Sequence, residues 1–212
     1  MLTTSPSQIA QALLDIGAVK ISLDPPFTWS SGLKAPIYCD NRLIISHPKT
    51  RQLLIKAMLE VIDKQFSELE VIAGTATAGI PHAAFLAQVL DLPMIYVRSS
   101  PKGHGMHNQI EGQLEKGQKV LMIEDLISTG GSVLKAAQAV EAAGGQVIGV
   151  LAIFNYLLQV GKDNFAKAGF PLITMSNYQV LIDIVTQSPE LAPHKESLSN
   201  WYQDPQSWSQ NR

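Results

Sequence analysis

Between Lys119 and Ala143 the chain passes from a short apolar segment through two acids into a hydroxyl- and glycine-rich turn, and then into a helical stretch. This succession restricts the fold more than any other part of the sequence. Val120 to Ile123 reads as a strand buried in a parallel sheet. Glu124 and Asp125 close it, Ser128-Thr-Gly-Gly-Ser132 follows, and Val133 to Ala143 is an Ala-rich helix. In an open α/β sheet, ligands bind outside the carboxyl ends of strands, where a helix N-terminus presents unpaired N–H groups. The turn therefore offers one phosphate several backbone donors, hydroxyls and little steric cover. Like charges repel, so the acids suit the hydroxyls of a sugar or a cation beside it. A phosphate cradle next to two carboxylates implies a ligand of the ribose 5-phosphate type. The rivals fail on spacing. A Walker A loop needs a lysine after its second glycine and none follows Gly131, and a dinucleotide fingerprint needs three spaced glycines where only Gly130 and Gly131 stand together.

The rest of the chain fits one domain. Ser5-Pro6 reads as the start of a first helix that Gly17 stops. Residues 24–42 are dense in turn residues and aromatics and predict a small subdomain over the core. Ser46 and Pro48 are expected to cap a second helix running towards Phe66. Strand and helix then alternate: Val71–Ala73, a tight loop Gly74–Gly79, helix Ile80–Leu90, strand Met94–Val97, a polar loop Arg98–Gly117, the unit described above, strand Val147–Phe154, a helix closing at Phe165–Gly169, an edge strand Leu172–Thr174, and a helix capped by Ser176. The expected class is α/β, a doubly wound, mainly parallel sheet flanked by helices. It spans residues 1–212, with an N-terminal hood over about 1–45, a core over about 46–187 and a tail over 188–212. That tail, with Trp201 and Trp208, either packs on the core or frays.

Composition narrows the function. A net charge of −2 argues against nucleic acid as the main partner, since phosphate-backbone binding relies on clustered Lys and Arg. The single cysteine, Cys39, excludes an internal disulfide and a Cys-rich zinc site. No apolar stretch reaches the length of a membrane-spanning helix, and the first residues lack a signal-peptide pattern, so no membrane partner and a cytoplasmic location are expected. Gly74-Thr-Ala-Thr-Ala-Gly79 repeats the strand–turn–helix logic, so it is either a second phosphate cradle or simply a tight turn. Two cradles suit a ligand with two separated phosphate groups. Arg98-Ser-Ser-Pro-Lys-Gly-His-Gly-Met-His-Asn-Gln-Ile-Glu-Gly112 has the length and polarity of a lid, and Arg98, Lys102 and His104 could aim donors at a departing anion. His107 suggests no role.

Residues 119–132 resemble the phosphoribosyl diphosphate (PRPP) signature of type I phosphoribosyltransferases. Phe27-Thr-Trp-Ser-Ser-Gly-Leu-Lys-Ala-Pro-Ile-Tyr-Cys-Asp-Asn-Arg42, Tyr96-Val-Arg98 with the Lys102-Gly-His-Gly segment, and Asn108-Gln-Ile-Glu-Gly112 are similar to the bacterial orotate branch of that family. The likeness covers roughly residues 5 to 187. It implies transfer of ribose 5-phosphate from PRPP to orotate, giving orotidine 5′-monophosphate and diphosphate for pyrimidine (UMP) synthesis. It implies Mg²⁺ held mainly by PRPP with no direct protein ligand, and a homodimer sharing lid residues across its interface. By the resemblance, Asp125, Lys102 and His104 are catalytic. Arg98, Lys102 and His104 meet the diphosphate, which Thr75, Ala76 and Thr77 also face. Glu124, Asp125, Leu126, Ile127, Ser128, Thr129, Gly130, Gly131 and Ser132 hold the ribose 5-phosphate, and Ser128 also lies at orotate. The chain departs from some members: Ser99 stands where a second lid lysine occurs, and Ser30 and Asn155-Tyr156 stand where a lysine and an arginine meet orotate. Lys34 and Arg42 are the candidates to replace them. The rival readings are a purine phosphoribosyltransferase and a PRPP-sensing regulator that binds nucleic acid.

Overall fold

The computed structural model describes residues 4–29, 31–100 and 109–212. The chain opens on α1 (Pro6–Asp15), whose start is a reciprocal capping box. The Gln8 N–H donates to Ser5 Oγ at 3.2 Å and the Ser5 N–H to Gln8 Oε1 at 2.7 Å. Four short strands follow: β1 (Val19–Ile21), β2 (Phe27–Thr28), β3 (Lys34–Ala35) and β4 (Ile37–Cys39). β1 pairs antiparallel with β4, and β2 with β3. A 3₁₀ turn over Asn41–Ser46 leads into α2 (Pro48–Gln65). Ser46 therefore does not cap α2 as expected. It belongs to the preceding turn, and Pro48, with its fixed φ, starts the helix after an uncapped His47.

The remaining elements alternate. They are β5 (Val71–Thr75), α3 (Gly79–Leu90), β6 (Met94–Val97), β7 (Ile110–Glu111), β8 (Lys119–Ile127), α4 (Gly131–Ala142), β9 (Gln146–Asn155), α5 (Gln159–Ala168), β10 (Leu172–Asn177) and α6 (Tyr178–Val185). Among the described residues the main sheet has six strands in the order β10-β9-β8-β5-β6-β7, parallel except for β7. From β8 the chain winds outward to β9 and β10, and from β5 it winds the other way to β6. The switch point lies between β8 and β5, as the doubly wound class predicts.

Alternation along the strands sends side chains to two cores. Ile72, Leu121, Ile123, Leu151 and Ile153 pack with α1, α2, α3 and α6. Val71, Ala73, Val120, Met122, Val150 and Ala152 pack with α4 and α5. The central strands are apolar on both faces for this reason, each buried aliphatic contributing about 1.5–3 kcal/mol.

Two expectations change, and the alternative left open for the tail is decided. The lid begins and ends as a ribbon, because β7 pairs with β6 at Tyr96↔Glu111 and Val97↔Ile110. β10 runs on to Asn177, and it is Asn177 that caps α6, accepting from the Val180 N–H at 3.1 Å. Ser176 instead donates to the Pro6 carbonyl at 2.9 Å, tying β10 to α1. The tail packs on the core: after a short 3₁₀ turn it forms α7 (Lys195–Gln203) and α8 (Pro205–Gln210). Trp201 is fully buried, its ring 4.9 Å from Tyr178, 5.5 Å from Trp29 and 5.9 Å from Tyr156. Among the described residues no helix is long and apolar enough to cross a membrane.

Candidate active site

β5 and β8 pair only as far as Gly74↔Ile123, whereas β8 stays with β9 through Ile127↔Asn155. The strand expected to end at Ile123 therefore continues, and Glu124 and Asp125 lie within it. Regular pairing with one neighbour outweighs the poor strand propensity of the acids. Where β5 peels away, a cleft of about 250 Å³ opens, lined by Ala76–Ala78 and by Glu124–Val133. All the residues expected at the ribose 5-phosphate line this one cleft.

The carboxyls of Glu124 and Asp125 interact through a side-chain hydrogen bond, and Glu124 Oε1 also accepts the Asp125 N–H at 2.9 Å. Burial, reinforced by the neighbouring Asp125, pushes the Glu124 carboxyl well above its ordinary range. Burial raises Asp125 as well, against the lowering effects of its hydrogen bonds and of Arg42. Burial therefore works against full ionisation of the pair.

The other wall is the start of α4. Gly130 takes a left-handed conformation, φ +75°, and no side chain caps the helix behind it. A Cβ there would stand 2.5 Å from the Phe165 ring, so glycine is required for packing as well as for φ. Gly131 is different, since its added Cβ would meet nothing nearer than Thr129 Oγ1 at 3.6 Å. α5 supports the whole turn from below. Asn164 donates to the Thr129 carbonyl at 2.9 Å, and Gly161 lets the helix approach the Ser128 carbonyl.

Thr75 and Ala76 line a second cleft of about 290 Å³ with Arg98, Ser99, Gln109, Thr129, Ser132 and Lys135. It adjoins the first along Ala76 and the α4 start. Two cations and the buried Thr75 hydroxyl suit an anion. Arg98 also lies 3.5 Å from Glu111 at the base of the lid. The glycines of the Gly74–Gly79 segment serve packing. An added Cβ at Gly74 would lie 2.9 Å from the Ile80 Cα, and one at Gly79 would lie 2.4 Å from the Ile123 carbonyl oxygen. The residues between those glycines form the cleft wall.

Lys102, His104 and His107 lie outside the described residues, as does Ser30. Lys34 is drawn to the tail, its backbone N–H donating to Ser209 Oγ at 2.9 Å and its ammonium to the Arg212 carbonyl. Arg42 forms a two-pronged pair with Asp40, at 2.6 and 2.8 Å, with most of its side chain exposed. Asn155 is occupied by the Leu157 N–H, and Tyr156 is buried in the aromatic cluster. Sequence reasoning missed Lys135, Asn41 and the supporting face of α5. Lys135 was findable, standing one helical turn after Gly131. The others act on backbone groups, which leaves no pattern in side-chain chemistry.

A phosphoribosyl transferase domain model matches residues 44–181. The orotate phosphoribosyltransferase of Cutibacterium acnes is 53% identical over 203 residues, covering 95% of this chain and 94% of that protein. The chain belongs to the orotate phosphoribosyltransferase family. It is a pentosyltransferase by that membership, and the match favours the orotate branch over the purine and regulatory readings. The domain model leaves out residues 1–43, where the Phe27–Arg42 motif lies, whereas the Cutibacterium match spans most of the chain. The solved orotate phosphoribosyltransferase of Aeropyrum pernix superposes on this phosphoribosyltransferase with a TM-score of 0.75 at 28% identity, covering 85% of this chain and 99% of that one. Leishmania donovani UMP synthase, at 24% identity and TM-score 0.76, shares the fold over 93% of this chain, which spans 43% of that protein.

Proposed function

We propose that this enzyme joins orotate to the anomeric carbon of PRPP, with the ribose 5-phosphate in the 250 Å³ cleft and the diphosphate towards the second one. The observation that carries the assignment is the meeting of an acid pair and an uncapped helix start across a single cleft at the switch point. A phosphate accepts from the N–H groups at the start of α4 and from Ser128, Thr129 and Ser132. Asp125 accepts from a ribose hydroxyl. The C1–O bond to diphosphate breaks as an orotate ring nitrogen forms the new C1–N bond, its N–H proton passing to the departing diphosphate, and the negative pair favours positive charge developing on the ring. No protein nucleophile is needed. Catalysis comes from alignment and from donors set around the leaving diphosphate. Arg98 and Lys135 supply that charge, with Lys102 and His104 from the lid, shared between two subunits of a homodimer.

Among the described residues no three His, Cys, Asp or Glu side chains gather into a metal cage. An Mg²⁺ ion would accordingly be held by PRPP oxygens and water, with the acid pair adding negative charge nearby rather than serving as its ligands. When bound, that ion neutralises charge on the diphosphate.

Replacing Gly131 tests the assignment without disturbing the fold, because its Cβ enters open space beside the helix start. Gly131→Val is expected to weaken PRPP binding by about tenfold or more, through loss of donor contacts to a charged ligand, with the melting temperature held. Calorimetric titration with PRPP checks it. Unchanged affinity would reject the cradle.

For the orotate carboxylate we favour Arg42 over Lys34. Arg42 lies close enough to Asp125 to lower its carboxyl, whereas Lys34 is engaged by the C-terminal tail. Arg42→Ala should raise the KM for orotate by roughly tenfold while leaving that for PRPP nearly unchanged. Lys34→Ala should do neither. The reverse result would transfer the role to Lys34.

A further inference from the structure

Asp125 occupies a place in β8 where its strand partner on one side has gone. Beyond Ile123 no residue of β5 pairs with β8, so the backbone groups on that edge need other partners. The Asp125 N–H is taken by Glu124 Oε1 at 2.9 Å. Its carbonyl is taken from outside the sheet, by Asn41 Nδ2 at 2.6 Å. Asn41 is completely buried, and its own oxygen accepts from Cys39 Sγ–H at 3.3 Å, which fixes which way the amide faces. Asn41 is thus a side-chain substitute for the missing strand, and it stands at the end of the Phe27–Arg42 motif.

We infer that Asn41 is a positioning residue for the transfer reaction, clamping the Asp125 peptide so that its carboxylate faces the ribose. The inference rests on the ribose-binding role proposed for Asp125. It also accounts for a buried amide between the N-terminal segment and the acid pair. An apolar residue of similar size would fill the volume but leave the Asp125 carbonyl buried without a donor.

A double-mutant cycle separates this role from simple support of the fold. Asn41→Ser is too short to reach Asp125. Asn41→Asp keeps the size and the acceptor for Cys39 but sets an oxygen against the Asp125 carbonyl. Each is made alone and combined with Asp125→Asn, and PRPP affinity by calorimetry and kcat/KM with orotate are measured beside the melting temperature. In the otherwise native enzyme both should lose about tenfold in kcat/KM and several-fold in PRPP affinity. On the Asp125→Asn background either substitution should change PRPP affinity less than twofold, because the carboxylate it positions is gone. Equal losses on both backgrounds would make Asn41 merely structural and overturn the inference. So would wild-type values in both single variants while Asp125→Asn is impaired. If Asp125→Asn itself keeps full activity, the role of Asp125 fails first and this one with it.

Discussion

Asp125→Asn should lower kcat by about 100-fold or more while the protein stays folded, the scale expected when one preorganised electrostatic group is removed. The substitution keeps the volume and leaves the Asp125 backbone bonds to Glu124 and Asn41 untouched. It removes the negative charge that favours a positively charged ribosyl centre. Glu124 should stay raised in the variant, because burial is the main cause of its shift and Asp125 only adds to it. Steady-state kinetics with both substrates measures the loss, and an unchanged kcat/KM would remove Asp125 from the mechanism. The same variant tests whether the lid is shared between subunits. Mixed with Lys102→Ala subunits, Asp125→Asn subunits should form hybrid dimers in which one site regains both groups, so activity rises above either parent. No rise after confirmed subunit exchange would place lid and cradle in the same subunit.

Among the glycines of the described residues, Gly79→Ala brings its methyl nearest to another heavy atom and should be strongly destabilising. Its Cβ would sit 2.4 Å from the Ile123 carbonyl oxygen and 3.5 Å from the Glu124 Cα, both backbone atoms of the central strand. Neither can rotate away, so α3 and β8 must separate beside the acid pair. Overpacking of this kind costs about 1–3 kcal/mol, or a fall of roughly 2–12 °C in melting temperature for a chain of this size. Activity should fall further than stability, because Glu124 moves with the strand. Gly131→Ala is the control, with space for its methyl, and should melt like the native protein. Equal melting temperatures for the two variants would contradict the packing described here.

The contrast between these glycines shows where sequence reasoning reaches and where it stops. The alternation of apolar runs and helices disclosed the sheet class, and the acid pair with Ser128–Ser132 disclosed the cleft, because both depend on side-chain type at regular spacing. Gly74 and Gly79 resembled a second phosphate cradle from spacing alone. Their physical task is close approach of α3 to β5 and β8, and only coordinates distinguish a glycine that admits a ligand from one that admits a helix. The extent of β8 was underestimated because Glu124 and Asp125 have poor strand propensity, which pairing with β9 overrides. Ser176 and Asn177 are both good caps, and a shift of one residue decided between them. Asn41 and Asn164 act through carbonyls of residues far along the chain, so nothing local marks them.

The central claim is that this cleft joins orotate, in preference to other bases, to the ribose 5-phosphate of PRPP. Diphosphate release from PRPP and Mg²⁺, measured side by side with orotate, uracil, adenine and hypoxanthine, tests it most directly. Release with orotate alone, matched mole for mole by orotidine 5′-monophosphate, is the predicted result. Equal or faster release with adenine or hypoxanthine, or none with orotate, would contradict it.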